Sequence, residues 1–223
     1  MHRALFKFLI LLSAFGWSGA ELLGQAFVVN DGLAITNTAT LATNGGWSNQ
    51  GSLVNNGIII TTEDWVNSGV LSTASTGGFI LNYSGTKSFA PGGKRFGFLQ
   101  INGGIAELAS DVHLNDSLNL AGGIIKILSA TDTLSLAPAC VLIGGNSSSY
   151  VIGAMRLEGT GDKTFPVGSS SDYLPIKFFK GSGASPKLTV TIETFPGSYT
   201  AGPAVTGFMG FPYAWRTHVP NAG

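Results

Sequence analysis

The segment GWSNQGSLVNNG (46–57) is answered eighteen residues later by DWVNSGVLST (64–73). Trp47-x-Asn49-x-Gly51-x-Leu53 aligns position for position with Trp65-x-Asn67-x-Gly69-x-Leu71. A short fixed offset of this kind constrains the fold more than any single residue does. It is too short for a propeller blade or a helical repeat. It suits one turn of a β-solenoid whose coils climb by one inter-strand spacing, about 4.8 Å. In such a coil Asn49 and Gly51 are expected at a corner and Leu53 in the core, which leaves the direction of Trp47 open.

Two further echoes follow. DSLNLA (116–121) matches DTLSLA (132–137) at an offset of 16, and GGI recurs at 103–105 and 122–124 at an offset of 19. The hexads predict that Leu118 and Leu120 stack on Leu134 and Leu136 one coil away. Asp116 and Asp132 are then expected at the preceding corner, bonded to nearby backbone amides.

Composition agrees with an all-β chain. Charged residues make up only 11% of 223 residues and glycine supplies 32, so a core has to be assembled from short apolar runs broken by turns. GIIITT, GFILNY, FGFLQI and GIIKIL are such runs, and Gly-Gly pairs lie between or beside them. The periodicity fades near residue 145. KLTVTIETF (187–195) then alternates as a half-buried antiparallel strand does. The expected layout is a parallel β-solenoid over 27–148, followed over 149–223 by a small, truncated β-sandwich-like unit that covers the solenoid's open end.

The N-terminus reads as an export signal over 1–26. Arg3 and Lys7 precede the apolar stretch FLILLSAFGW, which is too short to anchor in a bilayer, and small residues offer cleavage after Ala20 or Ala26. Ala26 is the better site because the β pattern begins at Phe27. Beyond it remain ten basic and eleven acidic residues without a basic cluster, which argues against nucleic-acid binding, and no later stretch is apolar enough to span a membrane. Cys140 is the only cysteine, so no internal disulfide forms; a small buried residue is the expected role.

The order of these features resembles the repetitive exported and surface proteins of Bacteroidetes associated with type IX secretion. The matching residues are the W-x-N-x-G-x-L repeats, the L-x-L rungs, and a closing segment with Thr164, Phe165, Pro166, Val167 and Gly168 followed by Tyr173, Leu174, Pro175 and Ile176. The similarity covers roughly 44–195, with Leu174 where an Arg is common. It implies a β-solenoid, adhesin-like protein at the cell surface. Proteins of that kind end in a sorting domain, whereas this sequence stops at PYAWRTHVPNAG, so a fragment of a longer protein is expected, or else a periplasmic form. The resemblance also makes Ser117 and Thr133, each in an Asp-[Ser/Thr]-Leu triplet, candidate O-glycosylation sites.

Catalytic signals are sparse. His113 and His218 have no partner at metal-ligand spacing, and GTGDKT (159–164) lacks phosphate-loop spacing and reads as a hairpin turn. By analogy with β-helical polysaccharide lyases and hydrolases, Asp111, Asp116 and Asp132 are candidate acids, with calcium as the ion that oxygen ligands would take. Lys126 is the only basic residue of that region. The leading expectation is a non-catalytic structural or adhesin-like module, a stalk or an interaction surface, with no cofactor and with an extracellular glycan or another surface protein as partner. The alternative is a carbohydrate-binding module stacking sugars on Trp47, Trp65 and Tyr83.

Overall fold

The computed structural model describes residues 27–72, 75–93, 95–159, 161–178, 188–194 and 213–218. The export signal expected over 1–26 lies outside them. Among the described residues the chain is all-β, and parallel strands stack as a β-solenoid of about seven turns.

Each coil lays strands on three faces. The first coil contributes Val28–Asn30, Ala34–Asn37 and Thr40–Thr43, and the second Trp47–Asn49, Ser52–Asn55 and Ile58–Thr61. Later coils use longer strands, Gly78–Ala90, Arg95–Leu108 and Val112–Ile127, which turn a corner within their length. The eighteen-residue repeat is the true register: Trp47 pairs with Trp65, Asn49 with Asn67 and Leu53 with Leu71, all in parallel. The weaker echo is also in register, because Ile105 pairs with Ile124.

Strand alternation points every second side chain inward, so register converts directly into apolar stacks. On the first face one inward row runs Val28, Trp47, Trp65, Phe89, Leu108, Ile127. On the third it runs Leu41, Ile59, Phe79, Leu99, Leu118, Leu142. Between them Trp65, Phe79, Phe89 and Phe96 form a cluster with ring centroids 4.8 to 6.2 Å apart, mostly edge to face. Each such buried side chain contributes about 1.5–3 kcal/mol of transfer free energy.

The corners of the first coils carry polar ladders instead. Asn30 Nδ2 donates to Asn49 Oδ1 and Asn49 Nδ2 to Asn67 Oδ1, both at 2.6 Å; Asn67 Nδ2 ends the ladder on the Pro91 carbonyl at 3.1 Å. At the second corner Asn37 Nδ2 donates to Asn55 Oδ1 at 2.8 Å. At the third, the Thr43 and Thr61 hydroxyls both donate to the Gly45 carbonyl at 3.2 Å. All these side chains are buried.

Coils approach too closely here for a side chain. A Cβ on Gly51 would lie 2.1 Å from the Leu33 carbonyl oxygen, and one on Gly69 would lie 2.1 Å from that of Gly51. Leu33 occupies this column in the first coil, where no described coil precedes it. In later coils the turn from the third face to the first uses Gly104 and Gly123, both at positive φ, which is the origin of the GGI echo.

Three expectations are corrected. Leu118 pairs with Leu99 and Leu142, whereas Leu134 pairs with Val112 and Met155, so the two hexads lie on different faces and do not stack on each other. Parallel pairing also continues past 148: Val151–Ile152 joins Val112–Ile127 and Val167–Gly168, and Met155–Leu157 joins Leu134–Leu136. GTGDKT is not a hairpin, because Met155–Leu157 and Lys163–Phe165 pair with other strands. Leu188–Thr194 is antiparallel, as its alternation suggests, and it covers the free edge of Met155–Leu157.

Asn49 is fully buried, accepts from Asn30 and donates to Asn67 and to the Gly51 carbonyl. Asn49→Ala strands the amides on either side and is expected to cost about 2–3 kcal/mol in a urea melt. The same change at half-buried Asn119, on the outer surface, is expected to cost under about 0.5 kcal/mol.

Candidate functional site

The sequence places its candidates on aromatic rings, aspartates and hydroxyls, and the fold distributes these over different surfaces. Trp47 is 2% exposed and Trp65 is 0% exposed, one above the other in the inward row of the first face. Tyr83 is also buried; its hydroxyl donates to the Ser88 carbonyl at 3.3 Å, and burial, then Asp64 and Glu63, push its pKa up. A sugar needs an accessible ring face, so none of the three is a stacking platform in this fold. They are core residues.

The aspartates do not form one site. Asp111 Oδ1 accepts the Thr133 backbone N–H at 2.7 Å, which ties two successive coils together across a corner. Asp116 lies at the next corner, its carboxylate against Gly97, and Asp132 follows the turn from Ser129. Among the described residues no group of three or more carboxylate, imidazole or thiol side chains could hold a metal ion. Lys126 bonds Glu107 at 2.7 Å on the outer first face, away from the role that a catalytic reading would give it. Ser117 is half-buried on the third face between Phe98 and Val141 in register, and Thr133 is half-buried beside Asp111.

A cleft of about 250 Å³ opens where the seventh coil leaves the path of the sixth. Leu136, Leu142, Leu157 and Cys140 line its apolar side, and Asp162 and Lys163 stand at its polar side. Burial, with Asp116 nearby, pushes the Cys140 thiol up to about 11, the opposite of what a nucleophilic thiol needs. Cys140 packs against the core.

The surface that sequence reasoning missed is the outer side of the third face. Phe98, Gln100 and Asn102 alternate with buried Leu99 and Ile101 and therefore point outward. Asn119 Nδ2 donates to Gln100 Oε1 at 3.2 Å, Gln100 Nε2 to Asn102 Oδ1 at 2.6 Å, and Asn102 Nδ2 to Asn82 Oδ1 at 2.6 Å. The Phe98 ring covers Gly78, where a Cβ would lie 2.4 Å from ring atom Cδ1. The signal was present in the sequence as F-x-Q-x-N between apolar residues, but it reads as a surface only once the register is known.

Two measurements check this placement. With Trp17 and Trp215 replaced by Phe, the emission of Trp47 and Trp65 is expected to be blue-shifted and poorly quenched by acrylamide. His113 is half-buried, and burial lowers its pKa, opposed by Asp111 and aided by Arg95 and Arg156. The folded state therefore takes up its proton less readily than the unfolded chain. Its contribution to stability is full above the unfolded value of about 6.5 and is lost as pH falls below it. Urea melts from pH 7.5 to 5 are expected to show that loss reduced in His113→Gln.

Comparison of the chain with protein-family models, with curated proteins and with solved structures gives no match in any of the three.

Proposed function

We propose that this chain is a non-catalytic, rigid module of an exported surface protein, one that holds an interaction surface away from the cell. The observation that carries the reading is the continuity of its inward rows. On the third face one apolar side chain per coil stacks without a gap from Leu41 to Leu142. Such an array distributes load over backbone hydrogen bonds between every pair of neighbouring coils, which suits a stalk.

Export is supported by the apolar stretch after Arg3 and Lys7, and a surface location by the resemblance to Bacteroidetes type IX cargo. In that setting Ser117 and Thr133 are the residues that would carry O-linked glycan. A polysaccharide-cleaving enzyme is the competing reading, and Asp111, Asp116 and Asp132 would be its acids. Asp111 already has a structural partner, and the three do not join in a common cluster.

The test uses an epitope-tagged chain in the producing cell, together with a variant lacking residues 47–64, one complete coil. Both are expected to fold and to present the tag to protease added outside intact cells, with the variant about 4.8 Å shorter. Retention of the tag inside the cell would overturn the surface reading. Glycan cleavage by the purified chain, abolished by Asp116→Asn, would overturn the non-catalytic one.

A further inference from the structure

We infer that the outer side of the third face is a binding surface for an extended, neutral glycan, with Phe98 as the stacking ring and Asn82, Gln100, Asn102 and Asn119 as the hydroxyl-binding row. The inference rests on reading the coil as a display surface and gives that surface its ligand class.

Charge is the first argument. From Thr40 to Ile143 no outward position on the strands of this face is charged, although the first face carries Glu107 and Lys126 and the second carries Arg95 and Arg156. Asp116 borders it at one corner, and at the other Glu63, paired with Lys87, follows the strand Ile58–Thr61. A polyanion or a strongly basic partner therefore finds no complement here, whereas an uncharged ligand loses nothing.

The amide row is the second argument. Each amide has two N–H donors and a carbonyl with two lone pairs, and the ladder uses only part of that capacity. The remaining groups face solvent at positions fixed by their neighbours, so little side-chain entropy is lost on binding. Asn82 and Asn102 are exposed, while Gln100 and Asn119 are half-buried. Asn119 to Gln100 and Asn102 to Asn82 each step one strand along the solenoid axis, about 4.8 Å and close to the advance per sugar of an extended β-linked chain, while Gln100 to Asn102 steps along one strand, so the donors and acceptors form a zigzag over three strands. Vicinal hydroxyls are the groups that satisfy such a row.

The ring is the third argument. Gly78 lacks the Cβ that would lift Phe98 from the sheet, so the ring lies over the neighbouring strand next to Ile80 and Ile58. An apolar ring beside polar amides matches a sugar, which has an apolar C–H face and a polar hydroxyl rim. The core of a protein–protein interface instead favours several large aromatic or arginine anchors; among the described residues of this face the one such anchor is Phe98, and its other large outward apolar residues are the aliphatic Ile58, Ile60, Ile80, Val141 and Ile143.

The test titrates the purified full chain with a neutral β-1,4-linked glucose hexamer, a neutral β-1,4-linked N-acetylglucosamine hexamer and anionic polygalacturonate. Binding is followed by the side-chain amide resonances of Asn and Gln. At about 10 mM sugar, above the roughly 1 mM affinity expected of a shallow face, at least one neutral hexamer is expected to shift the amides of Asn82, Gln100, Asn102 and Asn119. Phe98→Ala is expected to weaken that binding about tenfold. Gln100→Lys, which removes no packing, is expected to weaken it as well, and melting curves confirm that both variants fold. Unmoved amides with both neutral sugars, equal binding of polygalacturonate, or shifts that survive Phe98→Ala would overturn the inference. Capture of a protein on this face with no response to sugar would also overturn it. Each of those results leaves the protease-accessibility and coil-deletion outcomes unchanged, so the display reading stands or falls separately.

Discussion

The fold depends on one coil meeting the next in register, and the buried asparagine ladder is what makes a slip expensive. A chain of parallel strands stacked on apolar rows tolerates sliding in principle, since one aliphatic side chain packs on another almost as well as on the first. An amide does not. Asn49 has its carbonyl and its amino group engaged by Asn30 above and Asn67 below, inside the coil and away from water. A shift of one residue would turn the inward set outward and leave three buried amides unpaired, at about 1–3 kcal/mol each. The ladder sits at a corner where glycine lets the backbones approach, so packing and hydrogen bonding select the same register.

The two halves of the solenoid meet this requirement by different means. The first coils are short and nearly uniform, with amides or hydroxyls at all three corners. From Phe79 onward the interior is aromatic and then leucine-rich, and positive-φ glycines such as Gly104 and Gly123 turn one corner. Longer connections, such as 128–133, are absorbed at the corners without disturbing the faces between them. The first coil differs from those below it in one respect. Leu33 and Ala39 stand in columns that continue as Gly51 and Gly57, and a side chain at either glycine would strike the coil before it. An identical coil stacked in register ahead of Leu33 and Ala39 would meet both side chains.

Much of this was legible in the sequence. The eighteen-residue repeat and the GGI echo are register itself, because the residues involved recur at the same corner and strand of successive coils. The sharper-looking match, between DSLNLA and DTLSLA, was misleading for a physical reason. An aspartate and a hydroxyl residue before alternating leucines describe entry into a strand, and this coil enters three strands per turn. Likeness there reports shared local chemistry on two faces. The direction of Trp47 could not be read by counting from Leu53, since a corner intervenes and resets the alternation. Within the strand, Trp47 shares its parity with Asn49, and an asparagine expected at a corner carries no inward signal of its own. It points inward because a neighbouring amide waits for it. The outer amide row stayed hidden for the same reason: Asn82, Gln100 and Asn119 are far apart in sequence and become neighbours only through register.

Register can be observed directly through hydrogen-bond scalar couplings in a labelled sample of the chain. The account predicts couplings from the Trp47 amide to the Asp64 carbonyl, from Ser52 to Leu33, from Val70 to Gly51 and from Leu134 to Ala154, each joining one coil to its neighbour in parallel. Couplings that pair adjacent strands within 28–152 as antiparallel hairpins, or that join 116–121 directly to 132–137, would contradict it.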